Sequence, residues 1–321
     1  MKQIHHLITG GAGFIGAHLA RRLVEMGDGV LVVDDLSRGR TEFFSDLVGL
    51  STFDFQQADC CDAEALEAAV LARGRRIDEV WHLAANSDIP AGVADPEIDL
   101  KRTFLTTFGV LQVMRKLEIP TLHFASSSAI YGDHKDREVY EDIGPLEPIS
   151  NYGAMKLASE AQIRAASEAF LPRVDILRFP NVIGAPATHG VILDLIRKLK
   201  VRSDVLEVLG NGKQQKAYLH VDDLISAMLH VRRLSGRWQV VNIGPEDDGV
   251  SVKYIAEAVR DRVAPSATIE FGRDNRGWVG DVPRFKYSTA RLATSGWAPT
   301  LSSREAVLRA VDEIVRQELN E

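Results

Sequence analysis

Leu7-Ile8-Thr9-Gly10-Gly11-Ala12-Gly13-Phe14-Ile15-Gly16 is an apolar run that ends in a glycine-rich turn and opens into an amphipathic stretch, Phe14 to Met26. Gly11, Gly13 and Gly16 match G-x-G-x-x-G, and Gly10 adds the G-x-x-G-x-x-G spacing of a broader set of dinucleotide folds. The glycines serve three physical ends: one lets the turn take positive φ, one lets backbone N–H groups approach a pyrophosphate, one lets helix and strand pack closely. The helix that follows directs its N-terminal partial positive charge and its unbonded N–H groups at the same point. The stretch reads as a phosphate cradle.

Working outward, Val30-Leu31-Val32-Val33 is a second apolar strand that ends at Asp34-Asp35, with Asp34 18 residues past Gly16. An acid at that distance accepts hydrogen bonds from adenosine ribose hydroxyls and repels a 2′-phosphate, so NAD is expected rather than NADP. Arg38 and Arg40 are the nearby cations that would favour the phosphate instead. Strand patterns at Ile4 to Thr9, Gly29 to Val33, Phe53 to Gln56, Glu79 to Leu83, Thr121 to Ser126 and Val174 to Phe179 are joined by helical patterns at Ala63 to Arg73, Leu100 to Leu117 and Tyr152 to Ala169. That alternation predicts an α/β fold, a doubly wound parallel sheet with its ligand crevice at the carboxyl ends of the strands. Residues with functional character do follow the strands: Asp34, Asp59, Ala84-Ala85-Asn86 and the serines at 126 to 128.

After Phe179 the texture becomes interrupted, with Pro180, Gly184, Pro186 and Gly190, then a helix from Val191 to Lys200. Residues 1–180 are expected to form the dinucleotide domain, with 217–245 returning to it; 181–216 and 246–321 form a smaller mixed α/β substrate lobe. The 321 residues include 45% hydrophobic and 26% charged side chains with a net charge of -7, an ordinary globular composition that argues against a nucleic-acid surface. No secretory leader and no membrane-length apolar run stands out, so a cytoplasmic protein is expected. Cys60 and Cys61 are adjacent and supply no disulfide framework, and the nine histidines show no metal-ligand spacing, so no structural metal is expected.

Tyr152 and Lys156 stand four residues apart, one turn apart on one helical face. A free tyrosine has a pKa of about 10 and is a poor base at neutral pH unless a cation stabilises its phenolate. Lys156 is placed to supply that charge, and Ser126-Ser127-Ser128 before Tyr131-Gly132 offers a hydroxyl partner.

With these motifs in place, the chain resembles the extended short-chain dehydrogenase/reductases, in the branch of nucleotide-sugar epimerases and dehydratases, most closely the UDP-glucose 4-epimerase-like members. The resemblance runs essentially end to end. Besides the glycine turn it rests on Val33-Asp34-Asp35-Leu36-Ser37, His82-Leu83-Ala84-Ala85, Ser126 to Gly132, Tyr152 and Lys156, Leu177 to Gly184, Tyr218 to Asp223 and Gly280-Asp281-Val282-Pro283. It implies a tightly held NAD, reduced and reoxidised within one turnover. Tyr152 would take the C4 hydroxyl proton of a UDP-sugar while hydride leaves C4, the 4-keto sugar would turn, and hydride would return to the opposite face. The cofactor would meet Gly10, Gly13, Phe14, Ile15, Gly16, Asp34, Asp35, Ser37, Arg38, Gly39, Asp59, Cys60, Leu83, Ala84, Ala85, Ser126, Tyr152, Lys156 and Pro180.

The assisting hydroxyl is Ser127 when matched back from Tyr131-Gly132 and Ser128 when the serine run itself is matched; strand alternation lets only one serve, and Ser127 is favoured. Dehydratases of the family carry an Asp-Glu pair after the catalytic hydroxyl residue, and decarboxylating relatives usually a glutamate at the second position. This sequence has Ser128-Ala129. Asn181 and the turn around Val191 are implied to meet the sugar diphosphate, Lys216 and Arg276 its charge, Asp281 the ribose, and Tyr218 the substrate; Phe285 would favour a hydroxyl over an N-acetyl group at C2. Two apolar-striped helices, Leu100 to Leu117 and Tyr152 to Ala169, are implied to build a homodimer.

Overall fold

The computed structural model describes residues 3–135, 137–274, 286 and 288–319. In chain order the first half forms β1 (His5–Thr9), α1 (Phe14–Glu25), β2 (Gly29–Asp34), β3 (Phe53–Gln57), α2 (Ala63–Ala72) and β4 (Glu79–His82). There follow α3 (Ile89–Ala94), α4 (Pro96–Asp99), a π-turn at Leu100–Leu105, α5 (Thr106–Lys116), β5 (Thr121–Ser127), α6 (Asn151–Ala169) and β6 (Arg173–Phe179). The strands build a seven-stranded parallel sheet in the order β3-β2-β1-β4-β5-β6, completed beside β6 by the strand Trp238–Asn242. β2 reads as an unbroken apolar run because all six residues are buried, as a parallel strand covered on both faces requires. The order reverses between β1 and β4, the switch point at which doubly wound sheets bind ligands.

The helix expected from Leu100 to Leu117 is α-helical only from Thr106. Thr106 Oγ1 donates to the Arg102 and Thr103 carbonyls (3.2 and 3.1 Å), and Thr107 Oγ1 donates to the Thr103 carbonyl (3.1 Å). Such back-bonding competes with the helical ladder, and a wide π-turn precedes α5.

The chain divides into two compact units, residues 1–131, 146–178 and 228–241 in the first and 132–145, 179–227 and 242–321 in the second. Against the expected boundaries, residues 132–145 group with the second unit and the returning segment is 228–241. The reason for the first shift is local pairing: Val139 N donates to the Lys286 carbonyl (3.0 Å), Ser288 N to the Val139 carbonyl (2.7 Å), and Asn242 N to Glu141 Oε1 (2.9 Å). The second unit contains β7 (Asn181–Ile183), α7 (Val191–Val201), β8 (Val205–Val208), β9 (Gln215–Lys216), β10 (Tyr218–His220) and α8 (Val221–Arg233, shared by both units). After β11, the strand Trp238–Asn242 that completes the first unit's sheet, the second unit resumes with β12 (Val250–Ser251), α9 (Val252–Val263), β13 (Thr268–Phe271), α10 (Ala290–Thr294) and α11 (Ser303–Leu319). Its core is an apolar cluster in which Ile196 of α7, Ile255 of α9 and Val311 of α11 are buried.

At the end of the first unit's sheet opposite the glycine turn lies a buried charged cluster. Glu79 Oε2 is 3.4 Å from His6 Nδ1, 3.3 Å from His123 Nε2 and 2.7 Å from Arg232 Nε; His123 Nδ1 is 2.8 Å from Asp175 Oδ2, and the Trp81 ring stacks on His123 at 3.8 Å. Burial alone would raise the Glu79 carboxyl, but His123 and Arg232 overcome it and hold it at about 2. Its stabilisation is therefore present above the ordinary carboxylate range and lost as pH falls toward 2. For His123 burial lowers the pKa, yet Asp175 and Glu79 outweigh it and the net shift is upward. That contribution is complete below the ordinary histidine value and fades as pH rises through the raised one. Glu79→Gln leaves Arg232 and His123 short of their shared anion, and thermal and denaturant unfolding should show a loss of about 3 kcal/mol near neutral pH. A variant as stable as the parent at neutral pH would show that the cluster contributes nothing net.

Candidate active site

The glycine turn is built as its sequence requires. Gly10 has φ +72°, and a Cβ there would lie 2.6 Å from the Ala84 nitrogen; a Cβ on Gly16 would lie 2.5 Å from the Gly10 oxygen. Gly13 caps α1 without any side-chain bond, so the first N–H groups of the helix, at the partly exposed Phe14 and Ile15, remain open to an anion. Asp34 closes the turn from behind: its Oδ2 accepts from Ala12 N (3.0 Å) and its Oδ1 from Leu36 N (2.9 Å). Burial raises its pKa against these two bonds. Each carboxylate oxygen keeps a second lone-pair direction, which is what a ribose hydroxyl needs. Gly39 fits closely here, since a Cβ would lie 2.7 Å from Asp34 Oδ1. The cradle that side chains would fill, the open helix end and the acid behind it fit a dinucleotide.

Around it, Asp35 Oδ1 accepts from the Ser37 amide and hydroxyl (2.9 and 2.7 Å), and Arg38 Nη1 is paired with Asp88 Oδ2 at 3.2 Å. Asp59 Oδ1 accepts from Cys61 N at 2.8 Å beside the buried Cys60, whose thiol is pushed up by burial. Leu83 N bonds the Thr9 carbonyl (3.0 Å), holding Leu83, Ala84 and Ala85, all partly exposed, at the end of β4. The Ser126 hydroxyl is buried and donates to Glu160 Oε1 at 2.5 Å.

Tyr152 and Lys156 begin α6, capped by Ser150 Oγ accepting from Gly153 N (3.1 Å). The Ser127 hydroxyl faces Tyr152 and acts to lower its pKa. Ser127 Oγ also accepts from Ala129 N at 3.2 Å, starting the short 3₁₀ turn Ser128–Ile130. Of the serines at 126 to 128, Ser127 is the one that acts on the Tyr152 phenol. Lys156 is 1% exposed, and its Nζ donates to the Ala125 carbonyl (2.6 Å) and lies 5.8 Å from the Tyr152 ring centre.

The expected depression of the tyrosine pKa is not what the protein shows by itself. Burial pushes Tyr152 up to about 12; the Ser127 hydroxyl opposes this and the Asp99 charge adds to it. Burial also lowers Lys156 to about 7, against the pull of Glu160 and Asp99. For both groups removal from water is the largest cause of the shift. Asp99 itself, which no motif in the sequence marks, is fully buried: its Oδ1 accepts from Asn86 Nδ2 (2.9 Å) and its Oδ2 has no hydrogen-bond partner among the described residues. Glu160 also joins the site without having been expected there. Its four-residue step after Lys156 is the signal that could have found it.

In the second unit, Asn181 is exposed on β7 and stands in register with Tyr218 on β10; Tyr218 is buried in the core cluster, which turns most of its ring away from solvent. Lys216 is half-buried on β9 opposite Val250. Val191 opens α7 after Gly190, whose φ is +112° and which offers no side-chain cap. Pro180 joins β6 to β7. Arg276, Asp281 and Phe285 lie outside the described residues. Among those described, no group of three or more His, Cys, Asp or Glu side chains is arranged to hold a metal ion, and no helix is long and apolar enough to cross a membrane.

The model of the NAD dependent epimerase/dehydratase family matches residues 6–244. The chain belongs to that family. Its cofactor is NAD. Within the epimerase/dehydratase family the chain is similar to the UDP-glucose 4-epimerase of Azospirillum brasilense, 30% identical over 95% of this chain and 90% of that protein. A crystal structure of a UDP-galactose 4-epimerase superposes with a TM-score of 0.85 at 34% identity, covering 98% of this chain and 100% of the other. The UDP-glucuronic acid decarboxylase 1 of Arabidopsis thaliana is 26% identical over 100% of this chain and 72% of its own.

Proposed function

We propose that this NAD-dependent family member inverts C4 of a UDP-hexose of the UDP-glucose/UDP-galactose type. The observation that carries the reading is Tyr152 on α6 with buried Lys156 one turn on, its Nζ 5.8 Å from the tyrosine ring centre, facing Ser127 in a site where Ser128 and Ala129 bring no carboxyl after the serine. NAD, held at the glycine turn and Asp34, supplies a reversible hydride acceptor and a positive ring. Tyr152 Oη takes the C4 hydroxyl proton and later returns it, and Ser127 Oγ holds the C4 oxygen in line while the proton moves. Lys156 presents its ammonium to the phenolate and to the cofactor ribose. Loss of water or of carbon dioxide calls for an additional proton carrier at the sugar, and the methyl of Ala129 moves no proton. In this reading Asn181, Val191, Lys216 and Tyr218 serve nucleotide-sugar binding.

The test is incubation of the purified protein, with no cofactor added, with UDP-hexoses and UDP-uronic acids, followed by chromatography and NMR of the products. UDP-glucose and UDP-galactose should interconvert. A deoxy-keto or decarboxylated product, turnover of a uronic acid alone, or a requirement for added NAD(P)H would replace the assignment with another activity of the fold. We also propose a cytoplasmic homodimer: both cysteines are free thiols, α5 leaves Phe108 42% exposed, and α6 leaves Ala161 and Ala165 exposed, an apolar surface suited to a second copy. A monomer mass by light scattering would dismiss the dimer.

A further inference from the structure

The end of β5 and one stripe of α6 meet rung by rung. Tyr152, Lys156 and Glu160 follow one another at four-residue steps on α6 and so share a face. Three successive residues of β5 each hold one of them. The Ala125 carbonyl accepts from Lys156 Nζ at 2.6 Å, Ser126 Oγ donates to Glu160 Oε1 at 2.5 Å, and the Ser127 hydroxyl faces Tyr152. Two of these rungs carry the proposed chemistry; the Glu160 rung has no part in it.

Yet the Glu160 rung is the most heavily built. Arg178 grips the carboxylate as a fork, Nε to Oε1 at 3.0 Å and Nη2 to Oε2 at 2.6 Å, while its Nη1 donates to Tyr131 Oη at 3.0 Å. Ser126, Tyr131, Glu160 and Arg178 are all buried. Tyr131 and Arg178 sit inside motifs that marked the family without having a chemical role. A buried ion pair is weak support for stability compared with apolar side chains of the same volume, so stability does not account for it.

The geometry points to Glu160 as a positioning residue: clamped by Arg178 and Ser126, it fixes the strand end that presents Ser127 and holds its carboxylate one helical turn from Lys156. This rests on reading Tyr152 and Lys156 as the catalytic pair. The groups facing Lys156 are Tyr152 and Glu160 on α6, Asp99 at the end of α4, and His82 on β4, with the Phe124 ring of β5 4.7 Å from Nζ. His82 is neutral, since burial and the Lys156 charge lower it to about 3. Glu160 and Asp99 are therefore the anions that oppose the effect of burial on the lysine.

The experiment follows the Lys156 ammonium directly, by proton–nitrogen correlation of side-chain ¹⁵N-lysine in the full chain, with the resonance assigned by its absence in Lys156→Met. In Glu160→Gln the titration midpoint of Lys156 should fall by about one pH unit or more. With UDP-glucose the same variant should lose kcat roughly tenfold while KM stays near the parent value. Should Glu160→Gln not fold, Glu160→Gln/Arg178→Met removes both charges and should give a smaller fall in the same direction. A Lys156 midpoint unchanged in the folded variant overturns the inference and leaves the cluster a packing element. The resonance needs no sugar, so a parent protein inactive on every UDP-sugar would defeat the epimerase reading while leaving this measurement intact.

Discussion

Tyr152→Phe is expected to lower interconversion of UDP-glucose and UDP-galactose by about 10²- to 10⁴-fold, the range set by loss of a positioned proton carrier. Dinucleotide affinity should remain near that of the parent, because the glycine turn and Asp34 are untouched. Ser127→Ala removes the hydroxyl that faces the tyrosine from β5 and should cost roughly tenfold to a hundredfold, as expected for one lost hydrogen bond in a buried site. Ser128→Ala should stay within about twofold of the parent, since substitutions that break no named interaction are usually mild. Initial rates by chromatography decide the matter. Equal losses in the two serine variants would remove Ser127 from its assigned place, and a Tyr152→Phe protein with parental turnover would remove the mechanism.

Gly16→Val should abolish dinucleotide retention. The glycine stands where helix and turn touch: a Cβ would lie 2.5 Å from both the Gly10 oxygen and the Gly11 Cα, which are backbone atoms unable to step aside. Overpacking of this kind costs about 1–3 kcal/mol or more and would displace the open end of α1 from its anion. Nucleotide released by acid from the purified variant, with calorimetric titration of added NAD, should show affinity at least about a hundredfold weaker, and a sizeable fraction of the chain should be insoluble. Gly13→Ala is the control. Its φ is -78° and its added methyl would meet only the Gly10 oxygen, at 3.2 Å, so the variant should fold. Parental NAD binding by Gly16→Val would mean that the turn is not the cradle.

The sheet was legible because parallel strands covered on both faces are written as plain apolar runs. Val30 to Val33 is read as a strand from its side chains alone, and the structure extends it only to Asp34. Tyr152 and Lys156 were legible because helical spacing is local. The π-turn before α5 was hidden, since it arises from where threonine hydroxyls bond rather than from where apolar residues recur. α11 carries a start signal that the strand and helix patterns alone do not reveal: Ser302 and Glu305 form a reciprocal capping box, with Ser302 N donating to Glu305 Oε2 (2.9 Å) and Glu305 N to Ser302 Oγ (3.3 Å). The pKa order at the site was not legible. Residue spacing says which charges are neighbours, whereas the shifts of Tyr152 and Lys156 are set first by removal from water, a property of the whole packed unit. Asp99 was hidden for a related reason, reaching the site from a separate element.

The meeting of β5 with α6 also fixes where the chain tolerates insertions. Side chains alternate faces along a strand, so one residue added or lost among Ala125, Ser126 and Ser127 would exchange the partners of Tyr152 and Glu160 and turn the serine hydroxyls to the wrong sides. A residue added between Tyr152 and Glu160 would rotate the helical stripe by about 100° and part the same contacts. Residues 133–135 and 142–149, by contrast, lie outside helix and strand, and connecting chain of that kind tolerates changes of length. Natural variants of this chain should therefore differ in length between the serines and the tyrosine far more readily than within either short segment.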